Sequence, residues 1–135
     1  MLDTDICIYL IKGNQDALNR AYKEKVVAQE KFCISWMSYL EMIYGIRKST
    51  SKKTNQDNLN AFLENIPVEP IEDKSEQFIE NYASIRITLE KAGEPLDQID
   101  LLIGAHALTL GATLVTNNTK HFQRIPVLSI ENWTQ

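Results

Sequence analysis

The chain has no long hydrophobic run. Its longest apolar stretches are only a few residues and no basic leader precedes one of them, so neither a bilayer-spanning helix nor a secretory signal is expected, and the anticipated address is cytoplasmic. Cysteine is scarce as well. Cys7 and Cys33 lack CxxC spacing and are flanked by apolar residues, which reads as two reduced core thiols rather than a disulfide or a metal pair. Positive charge is in deficit: 14 basic residues face 18 acidic ones, for a net charge of -4, so no overall basic face advertises nucleic acid. There is also no internal repeat, no low-complexity tract and no linker long enough to divide the chain. With 135 residues and 44% hydrophobic content, a single domain over 1–135 with one core is expected.

What is present is an alternation of short apolar runs and helical patterns. The segment EDKSEQFIENYASIRITLEKAG carries Phe78, Tyr82, Ile85 and Leu89 at helical spacing, with Asp73 as the expected N-cap, Glu76 three residues on and Gly93 beyond the end. QIDLLIGAHALTLG reads as a second helix ending at Gly111, and it runs into TLVT, a short β-branched strand. KFCIS before the helical SWMSYLEMIYGIRK, PVLSI near the carboxyl terminus and, more weakly, IPVEPI are further strands. Strands separated by helices predict an α/β fold with a mainly parallel central sheet flanked by helices. In such sheets ligands bind outside the carboxyl ends of the strands.

Acidic residues fall at those ends. The chain opens MLDTDICIYL, so if Met1 and Leu2 end a strand, Asp3 faces the crevice and Asp5 is placed to cap the helix carrying Ile8, Tyr9 and Ile11. Glu41 lies within the apolar stretch YLEMIYGI, after Ser35 as a candidate cap, and must either reach solvent or meet a cation. Asp97 and Asp100, spaced i, i+3, share one face at a helix start, where acids are also favoured by the helix dipole alone. Asn117 and Asn118 follow TLVT, a position that turn chemistry accounts for equally well. RKSTSKK, with Arg47, Lys48, Lys52 and Lys53, is the one positive stretch; it reads either as a solvated helix end and loop or as a phosphate-facing patch.

LDTD, SYLEMIYG, PLDQIDLLIGAHAL, LVTNNTKHF and VLSIENW occur in the order and near the spacing of the VapC-type toxins, small PIN-domain ribonucleases, and the chain resembles that family over nearly its whole length. The resemblance implies a PIN-like three-layer sandwich and a metal-dependent endoribonuclease. It implies that the enzyme attacks structured RNA such as tRNA, is held in check by a VapB-type antitoxin, and forms a homodimer. It also implies a magnesium or manganese ion ringed by acids: Asp3 in the first position, Glu41 in the second, Asp100 in the third, and Asn118 where many members have a fourth aspartate. On this reading Asp3 and Asp100 ligate the metal, Glu41 orients water, Asp97 supports the site or a second ion, and Asn118 holds a ligand water, with Asp5 and Asn117 in support. His106 and His121 are given no part, the first for lying about 240° around its helix from Asp100 at ~100° per residue, the second as a surface residue.

The chain departs from the family pattern in three places. Asp5 stands where asparagine is usual, Asn118 supplies no charge, and only two residues precede Asp3, which predicts a short central strand. Three other readings stay open. DTD matches the DxD of haloacid-dehalogenase-like phosphatases, although Cys7 stands where that motif has Thr or Val; an acidic pocket also suits a receiver-like phosphorylation domain; and a PIN fold can bind RNA or protein without cleaving it.

Overall fold

The strands are short, and the shortest is the central one. In the computed structural model, which describes residues 1–71 and 75–135, β1 (Ile34–Ser35), β2 (Val68–Glu69), β3 (Leu114–Val115) and β4 (Ile130–Glu131) are two residues each. β1 pairs with β2 and β3 with β4, both parallel, and Leu2 makes parallel bridges to Ile34 on one side and Val115 on the other. The order across the sheet is therefore β2, β1, Leu2, β3, β4. Leu2 N–H donates to the Cys33 carbonyl at 2.9 Å, Asp3 N–H to Val115 at 2.9 Å, and Val115 N–H to Met1 at 2.8 Å. Two residues thus suffice to stitch the halves, because their backbone groups are paired on both sides.

Side chains alternate across the sheet as the strand period of two requires. Met1 and Leu114 join a cluster with Phe78, Leu89, Leu101 and Ile103. Their neighbours Leu2 and Val115 join another with Ile6, Leu18, Met42 and Leu59. The helices flanking the sheet are α1 (Thr4–Lys12), α2 (Asp16–Val27), α3 (Trp36–Lys48), α4 (Lys52–Leu63), α5 (Ser75–Lys91), α6 (Gln98–Leu110) and the single turn α7 (Thr119–Phe122). α1, α2 and α4 pack on the Leu2 side and α5, α6 and α7 on the Met1 side, while α3 puts Met42 and Ile46 into the Leu2 cluster and Met37 into the Met1 cluster, giving helix, sheet and helix layers. Among the described residues no helix is long and apolar enough to cross a membrane.

Several expectations shift. The first helix is capped by Asp3, whose carboxylate accepts from Thr4 N–H, and not by Asp5, because the helix starts at once after Leu2 and leaves Asp5 inside its first turn. The final strand is Ile130–Glu131 rather than PVLSI: residues 124–127 form a turn in which Val127 has a φ of 57°. α2 and α4 were not foreseen; each fully buries a single residue, Leu18 and Leu59, with Ala21 and Tyr22, and Phe62 and Leu63, half-buried beside them, so each apolar stripe is narrow and set among polar residues. Asp73, the expected cap of α5, lies outside the described residues. Ser35 does cap α3, its hydroxyl accepting from Met37 N–H, and Phe78, Ile85 and Leu89 are buried as their spacing predicts. Cys7 is a buried free thiol, its pKa raised by burial, and Cys33 is a half-buried one.

Candidate active site

Asp3 is the first residue past the central strand and is only 6% exposed. Both of its oxygens are held: Oδ1 accepts from Thr4 N–H at 2.8 Å, and Oδ2 from the Thr116 hydroxyl at 2.8 Å. Thr116 directly follows β3, the strand beside Leu2, so adjacent strand ends supply acid and hydroxyl together. The same hydroxyl oxygen accepts from Asn118 N–H at 2.9 Å, which fixes the turn after β3. Burial pushes the Asp3 carboxyl up to about 6; the Thr116 and Thr4 hydrogen bonds oppose that rise, and the charges of Asp100 and Asp5 add to it. An acid raised in this way, beside a second acid, is a site of uncompensated negative charge.

Asp100 reaches the same place from α6. Its Oδ2 lies 3.3 Å from Asn118 Nδ2 and 3.1 Å from His121 Nδ1, while Asn118 Nδ2 and His121 Nδ1 are 2.7 Å apart. Glu41, on α3, is half-buried and accepts from the Thr4 hydroxyl at 2.6 Å. It therefore neither escapes to solvent nor meets a cation: a hydroxyl next to Asp3 is its partner. On the far side of Glu41 a groove of about 250 Å³ runs between α1, α3 and α4, lined mainly by Ile8, Ile11, Met42, Ile46 and Leu59.

Thus Asp3, Glu41, Asp100 and Asn118 come together through Thr4, Thr116 and His121. Other predicted residues lie apart. Asp97 is exposed and caps α6, its carboxylate accepting from Ile99 N–H at 3.1 Å. Asp5 is exposed, and Asn117 accepts from the Thr134 hydroxyl. Arg47 and Lys48 end α3 while Lys52 and Lys53 begin α4; Lys53 pairs with Asp57 at 2.8 Å and Lys48 lies over the Tyr44 ring. His106 is buried, with Nδ1 2.8 Å from the Ser35 hydroxyl, and burial lowers its pKa.

His121 is a correction: read from sequence as an idle surface residue, it contacts Asp100. Its signal was the three-residue spacing from Asn118, which puts both side chains on one side of the α7 turn. Thr4 and Thr116 gave no comparable signal, since a threonine at a helix start or a strand end needs no special reason.

The arrangement suits a hard divalent ion. Among the described residues no lysine or arginine forms an ion pair with Asp3, Glu41 or Asp100; the one basic side chain against them is His121, 3.1 Å from Asp100. No three His, Cys, Asp or Glu side chains among them stand close enough together to hold an ion by themselves. The two carboxylates of Asp3 and Asp100 are nevertheless enough for a magnesium-type ion, since it binds through one or two carboxylates and keeps several waters and substrate oxygens.

Comparison with known proteins bears on the fold as a whole. The PIN domain family model matches residues 1–128. The chain is 38% identical to ribonuclease VapC2 of Rickettsia felis, over 98% of this chain and 96% of that one. It is 34% identical to the tRNA(fMet)-specific endonuclease VapC of Shigella flexneri, over 99% and 97%. The crystal structure of VapBC2 from Rickettsia felis bound to a promoter DNA fragment superposes with a TM-score of 0.89 at 36% identity, covering 98% of this chain and 97% of that one.

Proposed function

Because the chain belongs to the PIN-domain family, among its VapC-type ribonucleases, we propose that it is a divalent-metal-dependent endoribonuclease, with magnesium or manganese as the ion and tRNA as the substrate class. The observation that carries this is the meeting of Asp3, Asp100 and Glu41 at the carboxyl ends of a parallel sheet. Family membership removes the phosphatase and receiver readings of the opening DTD.

Asp3 and Asp100 would hold the ion, which when bound lowers the pKa of water and offsets charge on the scissile phosphodiester. The protein's own part is position. Thr4 N–H and the Thr116 hydroxyl fix both Asp3 oxygens before substrate arrives, so little reorganisation is left for the reaction. Glu41 is steered by Thr4 through one oxygen, leaving Oε2 to accept a proton from, or orient, the attacking water. Asn118 holds Asp100 from the β3 side but adds no charge. Asp97 remains a candidate only for support at the rim, beside its capping bond. The basic residues Arg47, Lys48 and Lys52 supply exposed charge for RNA phosphates.

The partner is a VapB-type antitoxin, a reading supported by the VapBC2 complex that the fold matches. The apolar groove beside Glu41 gives such a partner a seat from which it covers the acid. Trp36, Leu40 and Tyr44, four residues apart on α3, stand 45%, 49% and 67% exposed and offer the face that a homodimer would bury. Incubating the purified chain with total tRNA, with and without EDTA, tests the enzyme reading. Cleavage is expected only with the ion present, and undiminished cleavage in EDTA would overturn the mechanism.

A further inference from the structure

Asp100 Oδ2, Asn118 Nδ2 and His121 Nδ1 form a triangle with sides of 2.7, 3.1 and 3.3 Å that hydrogen bonding does not satisfy with the Asn118 amide in this orientation. A ring nitrogen either carries a hydrogen or offers a lone pair. With the hydrogen, Nδ1 donates to Asp100 but meets the Asn118 amide N–H donor at 2.7 Å. Without it, Nδ1 accepts from Asn118 but faces the Asp100 oxygen at 3.1 Å, acceptor to acceptor. One contact is mismatched in either tautomer.

Turning the Asn118 amide by 180° exchanges its nitrogen for its oxygen in nearly the same place. The turn gives up the 3.3 Å bond by which Asn118 Nδ2 holds Asp100 in the metal-free protein, and it breaks none on Asn118 Oδ1, which accepts no hydrogen bond among the described residues. With the ring hydrogen on Nε2 the triangle then consists of three lone-pair donors, a carboxylate oxygen, an amide oxygen and an imidazole nitrogen; with it on Nδ1 the ring donates to the two oxygens instead. Adjacent donors of an octahedral ion with bonds of about 2.0–2.1 Å lie roughly 2.9 Å apart. The observed sides bracket that spacing.

The fold holds the triangle together. Asn118 is fixed by its N–H bond to Thr116, and α7 is anchored by Phe122 and Ile125, both buried. These pack against Gly104, one turn of α6 beyond Asp100, where an added Cβ would run into the Ile125 side chain. Glycine at that position therefore lets α7 approach α6 closely enough for His121 to reach Asp100. The His121 and Asp100 side chains are 42% and 21% exposed, so an ion can enter from solvent.

We propose that Asp100, Asn118 and His121 form one face of the metal site, with the His121 imidazole as a nitrogen ligand that biases the protein towards manganese and later transition ions over magnesium. The inference rests on the metal-dependent reading above and adds a ligand to it. Oxygen ligands suit magnesium and manganese alike, whereas imidazole favours transition ions, whose affinity rises from manganese through cobalt. The only other imidazole, His106, is buried against Ser35 and takes no part.

The test is pulsed electron paramagnetic resonance on the full chain loaded with Mn2+, in natural-abundance and 15N-histidine-labelled forms. Expected is a nitrogen modulation that changes to the 15N pattern on labelling. In His121→Gln and His121→Asn it should vanish, with Mn2+ binding weakened by about tenfold or more and Mg2+ binding changed far less. The labelled wild-type spectrum decides even if a variant fails to fold. Bound Mn2+ without histidine coupling would overturn this inference and leave the metal-dependent reading standing. Failure to bind Mn2+ or Mg2+ at all would overturn both.

Discussion

Replacing Asp3 by Asn should stabilise the metal-free protein at neutral pH and not at acidic pH. Asp3 is 6% exposed and its carboxyl is raised from 3.8 to about 6, chiefly by burial. A carboxyl whose pKa is higher folded than unfolded binds its proton more tightly in the native state. Its relative stabilisation is full below about 4 and is lost as the pH rises through about 6. The rise from 3.8 to about 6 corresponds to a penalty of about 3 kcal/mol at pH 7.5. Asn keeps the shape and one acceptor for Thr4 N–H, but its amide nitrogen faces the Thr116 hydroxyl where an oxygen stood, a mismatch of about 1 kcal/mol. The net gain in EDTA at pH 7.5 is then about 2 kcal/mol, or a rise of roughly 5–10 °C in Tm for a chain of this length. At pH 4 the variant should equal or fall below the wild type. Magnesium should reverse the order, since a native-state ligand at a hundred times Kd adds about 2.7 kcal/mol to the wild type and little to the variant. Melting curves of both proteins at pH 4 and 7.5, in EDTA and in magnesium, read this out. A pH-independent difference, or an equal magnesium response in both, would refute the account of Asp3 as an ionised, metal-seeking group.

Thr116→Val removes the hydroxyl that serves both Asp3 and Asn118, so it should cost about 1–3 kcal/mol and raise the Asp3 pKa further, with Thr116→Ser restoring both in melts and pH titrations. Gly104→Ala should lower stability by about 1–3 kcal/mol and push α7 off α6, seen as changed His121 chemical shifts. Changing Arg47, Lys48, Lys52 and Lys53 together to Ala should flatten the salt dependence of RNA binding by about 2–3 in slope, for roughly three lost contacts at ~0.7–0.9 each, because Lys53 is already paired with Asp57. An unchanged slope would mark the patch as mere solvated surface.

Where a segment buries a stripe, its pattern was legible. α5 and α6 put several side chains into one cluster, and both were read from spacing. α2 and α4 fully bury one residue each, with Ala21, Tyr22, Phe62 and Leu63 only half-buried, so their short apolar stripes are easily missed among the polar residues around them. The central strand was placed from two residues because the acid following it demanded a crevice. The last strand was misplaced by a few residues, since the apolar run PVLSI also serves the turn in which Ile125 is buried against Gly104.

The site divides along the same physical line. Asp3, Glu41 and Asp100 were visible because a carboxylate among apolar neighbours is expensive unless something repays it, so each one raises a question on sight. The groups that answer, Thr4, Thr116 and His121, are neutral or ordinary where they stand, and only the approach of three elements gives them their part. Asp97 shows the converse. Its spacing from Asp100 matched a paired acid, yet a residue just before a helix has free N–H groups within reach, and the capping bond to Ile99 takes its carboxylate. Asp3 caps its helix as well, and what separates the two acids is burial: Asp97 keeps its water while Asp3 has lost nearly all of it. The same capping motif therefore leaves one acid in water after a loop and buries the other at a strand end, and the deciding quantity, solvent access, depends on the neighbouring strand that no local window contains.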